Sequence, residues 1–324
     1  PSNPFISIVL RPLLSLKKVT LEYKETKSTT VPGFTGYSQI LGNQINGTNK
    51  YVTDKSIRSA PGYDFVFGGQ MGDRFFKGVD RFSRDGWLDE AASKGWITKD
   101  TLLNQKFTQT RSQRLDATAT IEPWTDLKID LTLFRDYTEN HSQFFKYNFD
   151  TLSGTYQVQH LSPMDMGSYS SSDLPARTMF DKTEKDGNSQ VYRDFEKNRE
   201  VISKRLGTGT YRNPTDGTLN SAYAYGYGPK SQDVLIPAFL AAYNKQDPNK
   251  VKLNPFKAFP MPNWRVSYNG ITKFKWAQNI FTNFTITHGY NSTLTVNSFN
   301  TNLDYTQAIR NTGSNGVNTL NGNY

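Results

Sequence analysis

The chain has 324 residues, with 38 Lys and Arg against 29 Asp and Glu, a formal net charge of +9 and no cysteine. The missing cysteine excludes disulfide scaffolds, zinc ribbons and thiol catalysis, and no apolar run reaches the roughly 18 residues of a transmembrane helix. The mean hydropathy is −0.65, yet 5 Trp, 18 Tyr and 21 Phe exclude a disordered chain. Both a soluble β-protein and an outer-membrane β-barrel fit this composition, because only alternate residues of a barrel strand face lipid.

Six segments alternate apolar and polar residues with the two-residue period of a β-strand. In chain order they are residues 5–10, 19–23, 115–121, 127–133, 264–268 and 284–296. The third and fourth predict a hairpin with its turn at residues 122–126, where Pro123 presets its own φ. The even positions stay polar further back, through Lys106, Thr108, Thr110 and Ser112. The strands of this hairpin are therefore expected to run about 10 to 15 residues, longer than the usual 5 or 6 of globular strands. Their length suits the roughly 9 to 11 residues of a strand that crosses a bilayer.

The links between these segments alternate between short and long. The short links are residues 11–18, 122–126 and 271–280, and the long links are residues 30–105 and 140–261. Outer-membrane barrels join their strands by short periplasmic turns and long extracellular loops. Structureless loops of such length are rare in compact soluble domains. The alternation therefore favours an up-and-down barrel.

The long links carry secondary structure of their own. Residues 189–206 predict a helix, with Ser189 as its N-cap and Gly207 just past its end. Further predicted elements are helices at residues 231–243, 87–94 and 99–104, and a hairpin around a turn at residues 151–154. Each long link is therefore expected to be a small folded layer.

These elements divide the chain into six regions of a predicted barrel. The regions are 1–30, barrel strands with a short periplasmic turn; 31–105, an extracellular loop insertion; 106–140, a barrel hairpin; 141–261, a large extracellular cap insertion with helices; 262–300, a second barrel hairpin; and 301–324, a disordered loop rich in Asn, Gly and Thr. Six strands are too few to close a bacterial barrel, whose smallest members have about 8. We therefore expect this sequence to be a stretch of a much larger polypeptide, or the strand count to be too low.

The most distinctive segment is Phe-Pro-Met-Pro-Asn-Trp-Arg-Val-Ser-Tyr-Asn-Gly at residues 259–270. It resembles a segment of the SprA/Sov family, the giant outer-membrane translocons of bacterial type IX secretion. Residues 284–299, 60–68 and 11–14 are also similar to family segments. The resemblance extends over most of the chain.

The resemblance implies an all-β fold, an antiparallel segment of a very large transmembrane β-barrel with partly helical extracellular loop insertions. It implies a water-filled pore in the outer membrane that exports folded proteins to the cell surface. The implied partners are secreted protein cargo, a PorV-type β-barrel shuttle protein at a lateral opening, a periplasmic plug protein and outer-membrane lipid. It implies no cofactor and no covalent chemistry.

The residues of the central hairpin fit such a wall, because one parity is polar and the other apolar. The candidates for the pore-facing side are Thr118, Thr120, Lys128, Asp130 and Thr132. The candidates for the lipid-facing side are Leu115, Ala117, Ala119, Ile121, Leu127, Ile129, Leu131 and Leu133. Aromatic residues near strand ends suit an interfacial girdle: Trp124, Trp264, Tyr268, Trp276 and Tyr290. His288 departs from the pattern, because it falls on the apolar parity.

No motif predicts enzymatic chemistry. His141, His160 and His288 lack the paired spacing of a catalytic zinc site, and no nucleophile elbow or phosphate loop is present. The carboxylates Asp64, Asp73, Asp80 and Asp85 do not have the spacing of a calcium-binding EF-hand loop. Basic residues are dispersed among acidic ones, so no nucleic-acid partner is expected. We therefore expect a protein that is not an enzyme and that uses no metal or cofactor.

Two alternatives to a translocon wall remain open from the sequence. One is a different large outer-membrane transporter barrel, such as a gated nutrient receptor. The other is a soluble extracellular β-rich adhesin or glycan-binding module, which would bury its alternating faces in a single core. A barrel wall would instead leave the apolar sides of residues 115–121 and 127–133 uncovered by protein.

Overall fold

The computed structural model describes residues 15–35, 65–70, 84–93, 95–151, 154–174, 189–213, 216–254, 256–257 and 259–300. This part of the chain is mostly antiparallel β-sheet with few helices, so the predicted β-rich class is confirmed. Its strands are β1 (Leu16–Thr30), β2 (Phe107–Trp124), β3 (Leu127–Asp150), β4 (Thr155–Ser172), β5 (Tyr211–Arg212), β6 (Leu219–Asn220), β7 (Asn263–Tyr268), β8 (Ile286–Tyr290) and β9 (Thr293–Asn300). Its helices are α1 (Arg84–Ser93), α2 (Gln190–Leu206), α3 (Gln232–Tyr243) and the short α4 (Lys275–Gln278).

Seven of these strands form one sheet, and β5 and β6 form a separate pair. The order of the main sheet is β1-β2-β3-β4-β9, with β7 pairing both β3 and β8. Strand β7 meets β3 from Leu127 opposite Tyr268 to Thr132 opposite Asn263. A strand has only two edges, and β2 occupies one edge of β3, so β4 and β7 share the other. Residues 173–262 are therefore an insertion between β4 and β7, two strands that lie along the same edge of β3.

The strand predictions hold for five of the six segments, and the first, residues 5–10, lies outside the described residues. The structure places the third segment in β2 and the fourth in β3. The central turn is tighter than predicted, because β2 continues through Pro123 to Trp124. Proline is tolerated there because it lies next to the end of the strand. The last segment is split into β8 and β9 at residues 291–292.

Strand β3 is longer than the alternation of apolar and polar residues predicts. Strand β3 has 24 residues and runs to Asp150, so the predicted boundary at residues 140–141 falls inside it. The predicted hairpin around residues 151–154 is confirmed, and its strands β3 and β4 belong to the main sheet. The predicted helix at residues 99–104 is wrong. The side chain of Asp100 accepts a hydrogen bond from the amide of Leu102 at 2.8 Å, which forms a turn instead.

The helix predicted at residues 189–206 is confirmed as α2, and the one at residues 231–243 as α3. Gly207 ends α2 with an extended backbone (φ −155°), so it is not the left-handed residue that the sequence predicts. A Cβ at this position would lie 2.8 Å from the ring of Tyr227. Glycine is needed here because a ring packs directly against the backbone.

The chain divides into two compact units. The first unit comprises Pro1–Lys24, Gln113–Tyr137 and Gly167–Tyr324, and the second comprises Glu25–Ser112 and Thr138–Met166. The core of the second unit lies between α1 and the strands. Leu88, Ala91 and Ala92 occur at helical spacing on α1, and they pack with the buried side chains Trp96, Ile97, Phe107, Phe145 and Tyr147.

A separate core within the first unit joins α2 to α3. Ile202 of α2 is fully buried against Val234 and Ala238 of α3, with Tyr227 completing the cluster. The hydroxyl of Ser203 donates to the carbonyl of Tyr227 at 2.6 Å, so the polar group is satisfied inside this core. Tyr223, Ala224 and Tyr227 of the tyrosine-rich run at residues 222–228 are thus buried beside this helix pair.

Candidate functional site

The candidate pore-facing residues lie together on one face of the sheet. Thr120 of β2 donates a hydrogen bond to the carboxylate of Asp130 on β3 at 2.8 Å. The ammonium group of Lys128 lies 3.0 Å from the other oxygen of Asp130. Strand β7 continues the polar face, because Arg265 lies directly opposite Asp130.

Ion pairs extend this polar face along β2 and β3. The guanidinium group of Arg114 lies 2.6 Å from Asp116 on its own strand and 3.9 Å from Asp136 on β3. These side chains are substantially exposed, and exposed ion pairs contribute only about 0 to 1 kcal/mol to stability. Their main consequence is a hydrated surface that carries both signs of charge.

The candidate lipid-facing residues form the opposite face. Ile129 lies opposite Val266, and Val266 in turn lies opposite His288 on β8. In the described chain, all eight candidates are partly exposed, and none belongs to either buried core cluster. On β1, the apolar side chain of Leu21 is 69% exposed. The apolar face is thus partly exposed in the described part of the chain.

Aromatic side chains lie on the apolar face of β7 and β8, and others are exposed beside the strand ends. Trp264 stacks on Tyr290 with ring centroids 4.6 Å apart. The indole N–H of Trp264 also donates to Nδ1 of His288 at 3.4 Å, so the imidazole on the apolar parity has a partner in the same face. Trp124, at the end of β2, and Trp276, on α4, are both exposed.

A charged cluster that the sequence did not indicate attaches the insertion to the sheet. Arg135 lies over the rings of Tyr137 and Tyr169 and donates to the backbone carbonyl of Lys257 at 2.9 Å. The ammonium group of Lys257 forms an ion pair with the buried carboxylate of Asp173. The cluster therefore holds both the outgoing and the returning segments of the insertion, and its partners are too distant in sequence to be recognised there.

A second group of polar contacts lies at residues 291–292, between the end of β8 and the start of β9. The side-chain amide of Asn263 donates to Asn291 at 2.8 Å, and its oxygen accepts from the amide of Ser292 at 2.9 Å. The amide of Asp173 donates to the carbonyl of Ser292 at 3.1 Å. Asn263 thus supplies bonds that a continuous ladder would otherwise make.

Two of the three histidines lie on neighbouring strands of the second unit. Nδ1 of the buried His141 lies 2.7 Å from the carboxylate of Asp165. The ring of His160 lies between Gln143 at 3.3 Å and Asp89 of α1 at 3.0 Å. Among the described residues, no three His, Asp or Glu side chains are grouped so that they could hold a metal ion. The part of the chain that the structure describes does not include Asp64, Asp73, Asp80 or the side chain of Asp85.

No helix in the described ranges is long and apolar enough to cross a membrane. A scan against protein-family models finds no match for the chain, and no curated protein matches its sequence.

Proposed function

We propose that the chain forms an arc of the wall of a very large outer-membrane β-barrel, which exports folded proteins to the cell surface as in type IX secretion. The observation that carries this proposal is the two-faced sheet. One face joins Thr120, Asp130 and Arg265 into a hydrated polar surface. The other carries apolar side chains that are partly exposed and belong to neither of the described core clusters.

The physical roles of the two faces follow from the two solvents. A wide aqueous pore requires polar residues along the inner side of each strand, and lipid requires apolar residues along the outer side. The polar face keeps a layer of water between the wall and a folded cargo protein. Because the polar face carries both Asp130 and Arg265, cargo of either charge sign can pass without being trapped. Neither role needs a cofactor or a covalent step.

The edges of the sheet favour a larger assembly. Among the described strands, β1 pairs only with β2 and β9 only with β4. In hydrocarbon, each unpaired backbone group costs several kcal/mol. A wall in lipid therefore needs further strands on both sides. The same polypeptide or a partner barrel, such as a PorV-type shuttle protein, would supply them.

Photo-crosslinking in cells tests the assignment of the faces. A photoreactive side chain at Thr118 or Thr132 is expected to form adducts with secreted proteins during export. The matched positions Ala117 and Leu133 lie one residue away on the opposite face and are expected to give adducts with lipid or barrel partners only. Equal cargo adducts at both pairs would contradict the proposal.

The alternative of an extracellular binding module is favoured by one feature of the helix pair. Tyr192, Phe195, Phe239 and Tyr243 form a row of rings across α2 and α3, with successive centroids 6.1, 6.2 and 5.4 Å apart. Tyr192 is 59% exposed, and exposed aromatic residues are common in binding surfaces. The need for detergent separates the two functions. A translocon wall leaves the membrane only in detergent, whereas a binding module dissolves without it.

A further inference from the structure

The connection between β7 and β8, residues 269–285, is folded but exposes its largest side chains. We call it the aromatic loop. A 3₁₀-helix, Gly270–Lys273, leads into α4, and the amides of Ile280 and Phe281 both donate to the carbonyl of Ala277. Ala277 is fully buried, whereas Trp276 is 61% and Ile280 is 67% exposed. Phe274 and Phe281 are exposed as well. A folded loop normally turns its large apolar groups inward, so this surface requires an apolar neighbour.

Two bonds attach the aromatic loop to the turn between β2 and β3. The amide of Asn269 donates to the carbonyl of Asp126 at 3.0 Å. The ammonium group of Lys273 lies 2.6 Å from the carboxylate of Asp126. Trp124, 69% exposed, immediately precedes this turn. The exposed aromatic residues of both connections therefore lie at the same end of the first unit.

The apolar strand face is too short to cross a membrane without this loop. From Leu127 to Leu133 it measures about 20 Å along β3, at 3.3 Å per residue. A strand tilt of about 40° reduces this to about 15 Å, against the roughly 25 Å apolar band of outer-membrane barrels. Beyond Leu133 the charged Arg135 ends the band on the apolar parity. The missing apolar height of about 10 Å must lie at the other end, where the aromatic loop is.

We infer that the aromatic loop lies in the membrane interface on the periplasmic side and completes the apolar band. This inference rests on the proposed function. Trp276, Phe274 and Ile280 would lie among the upper acyl chains and headgroups, where amphipathic aromatic rings are favoured. Lys273 and Lys275 are the only charged residues of the loop. Lys273 is held by Asp126, so the exposed Lys275 would reach the lipid phosphates. The occupant of this surface is therefore phospholipid with anionic phosphate groups.

The charge of the loop and its surroundings favour lipid over a protein partner. Residues 269–285 contain two Lys and no Asp or Glu, and Asp126 of the adjoining turn neutralises Lys273. The surface therefore has a net charge of +1, which is complementary to phosphate groups. The apolar surface is also continuous with the strand face, because Ile286 begins β8 immediately after the loop and is exposed. One environment, lipid, thus covers the strand and the loop together.

Spin labels on single cysteines test the inference, because the chain has no cysteine of its own. The labels replace Trp276 and Ile280 in the assembled protein, reconstituted in phosphatidylethanolamine and phosphatidylglycerol vesicles. A label at Ile129 reports on the strand face, and a label at the exposed Lys250 reports on the insertion. Collisions with oxygen and with a water-soluble nickel chelate then give the depth of each label. We expect the labels at Trp276 and Ile280 to lie between the deep label at Ile129 and the water-exposed label at Lys250.

Three other results of the accessibility measurement would each overturn a different part of the proposal. If the loop labels match Lys250 while Ile129 is deep, the inference fails and the proposed wall stands. If the loop labels are shielded from both oxygen and nickel, a protein covers the loop, and the lipid assignment is overturned. If Ile129 is as accessible to nickel as Lys250, the proposed function itself fails.

Discussion

Ile129→Arg is the most informative single substitution, because its effect depends on the solvent outside the apolar face. Ile129 lies opposite Val266 and near the middle of the apolar band once the aromatic loop is included. An arginine on the lipid face of a barrel costs about 2 to 4 kcal/mol near the bilayer midplane and about 0 to 1 kcal/mol near the interfaces. We therefore expect the free energy of unfolding to fall by about 2 to 4 kcal/mol, or roughly 30- to 900-fold in the folding equilibrium.

Thr132→Arg is the matched control, because Thr132 is an exposed residue of the polar face on the same strand. A surface substitution into water changes stability by no more than about 0.5 kcal/mol. Urea unfolding of both variants in lipid vesicles, followed by tryptophan fluorescence, gives the two free energies. If Ile129→Arg also costs less than about 0.5 kcal/mol, its face lies in water, and the reasoning that assigns it to lipid is refuted.

Ile202→Ala is expected to cost about 2 to 5 kcal/mol in the helix-pair core, since this side chain is fully buried; hydrogen exchange of α2 and α3 measures the loss. Gly207→Ala is expected to cost about 1 to 3 kcal/mol, because a Cβ would lie 2.8 Å from the ring of Tyr227; thermal unfolding shows it. Hydrogen bonds from the backbone and side chain of Asn249 lower the pKa of Asp247. The ionised carboxylate therefore stabilises its turn at pH values above the ordinary aspartate pKa of about 3.9, and this stabilisation is lost as the pH falls through the lowered pKa of the folded protein. The amide chemical shift of Asn249 measures this titration.

The controls for these three predictions come from the same chain. Gly289→Ala adds the same methyl group where the nearest atom, the carbonyl oxygen of Trp264, is 4.0 Å away. Tyr192→Ala shortens a mostly exposed side chain of the same helix as Ile202. Equal costs for Gly207→Ala and Gly289→Ala, or for Ile202→Ala and Tyr192→Ala, would contradict the packing described here. An Asn249 amide shift that titrates at the ordinary aspartate pKa would contradict the lowered value.

The sequence alone determined the local features of this protein. The two-residue period at residues 115–121 and 127–133 identified a hairpin and divided its side chains into a polar and an apolar face. The three- and four-residue spacing of apolar residues identified α2. Both patterns are readable because strand and helix geometry repeat over neighbouring residues.

The alternation of apolar and polar residues does not identify the second half of β3, because some of the buried side chains there are polar. In the second half of β3, His141 and Gln143 occupy buried positions on the same face of the strand as Phe145 and Tyr147. Their cost of burial is offset by hydrogen bonds from β4, such as the bond between His141 and Asp165. Because these partners come from another strand, the alternation of hydrophobicity disappears from the sequence, and the strand was predicted to end too early.

Only the tertiary structure decided which strands are neighbours. The two-residue alternation within β4 and β7 does not reveal that both strands pair with β3. About 90 residues separate β4 from β7 in the sequence. The same holds for Arg135, which reaches Lys257 across 122 positions of sequence. Strand pairing and buried polar contacts depend on which segments meet in space, and one sequence records only the preference of each residue for its own local conformation and face.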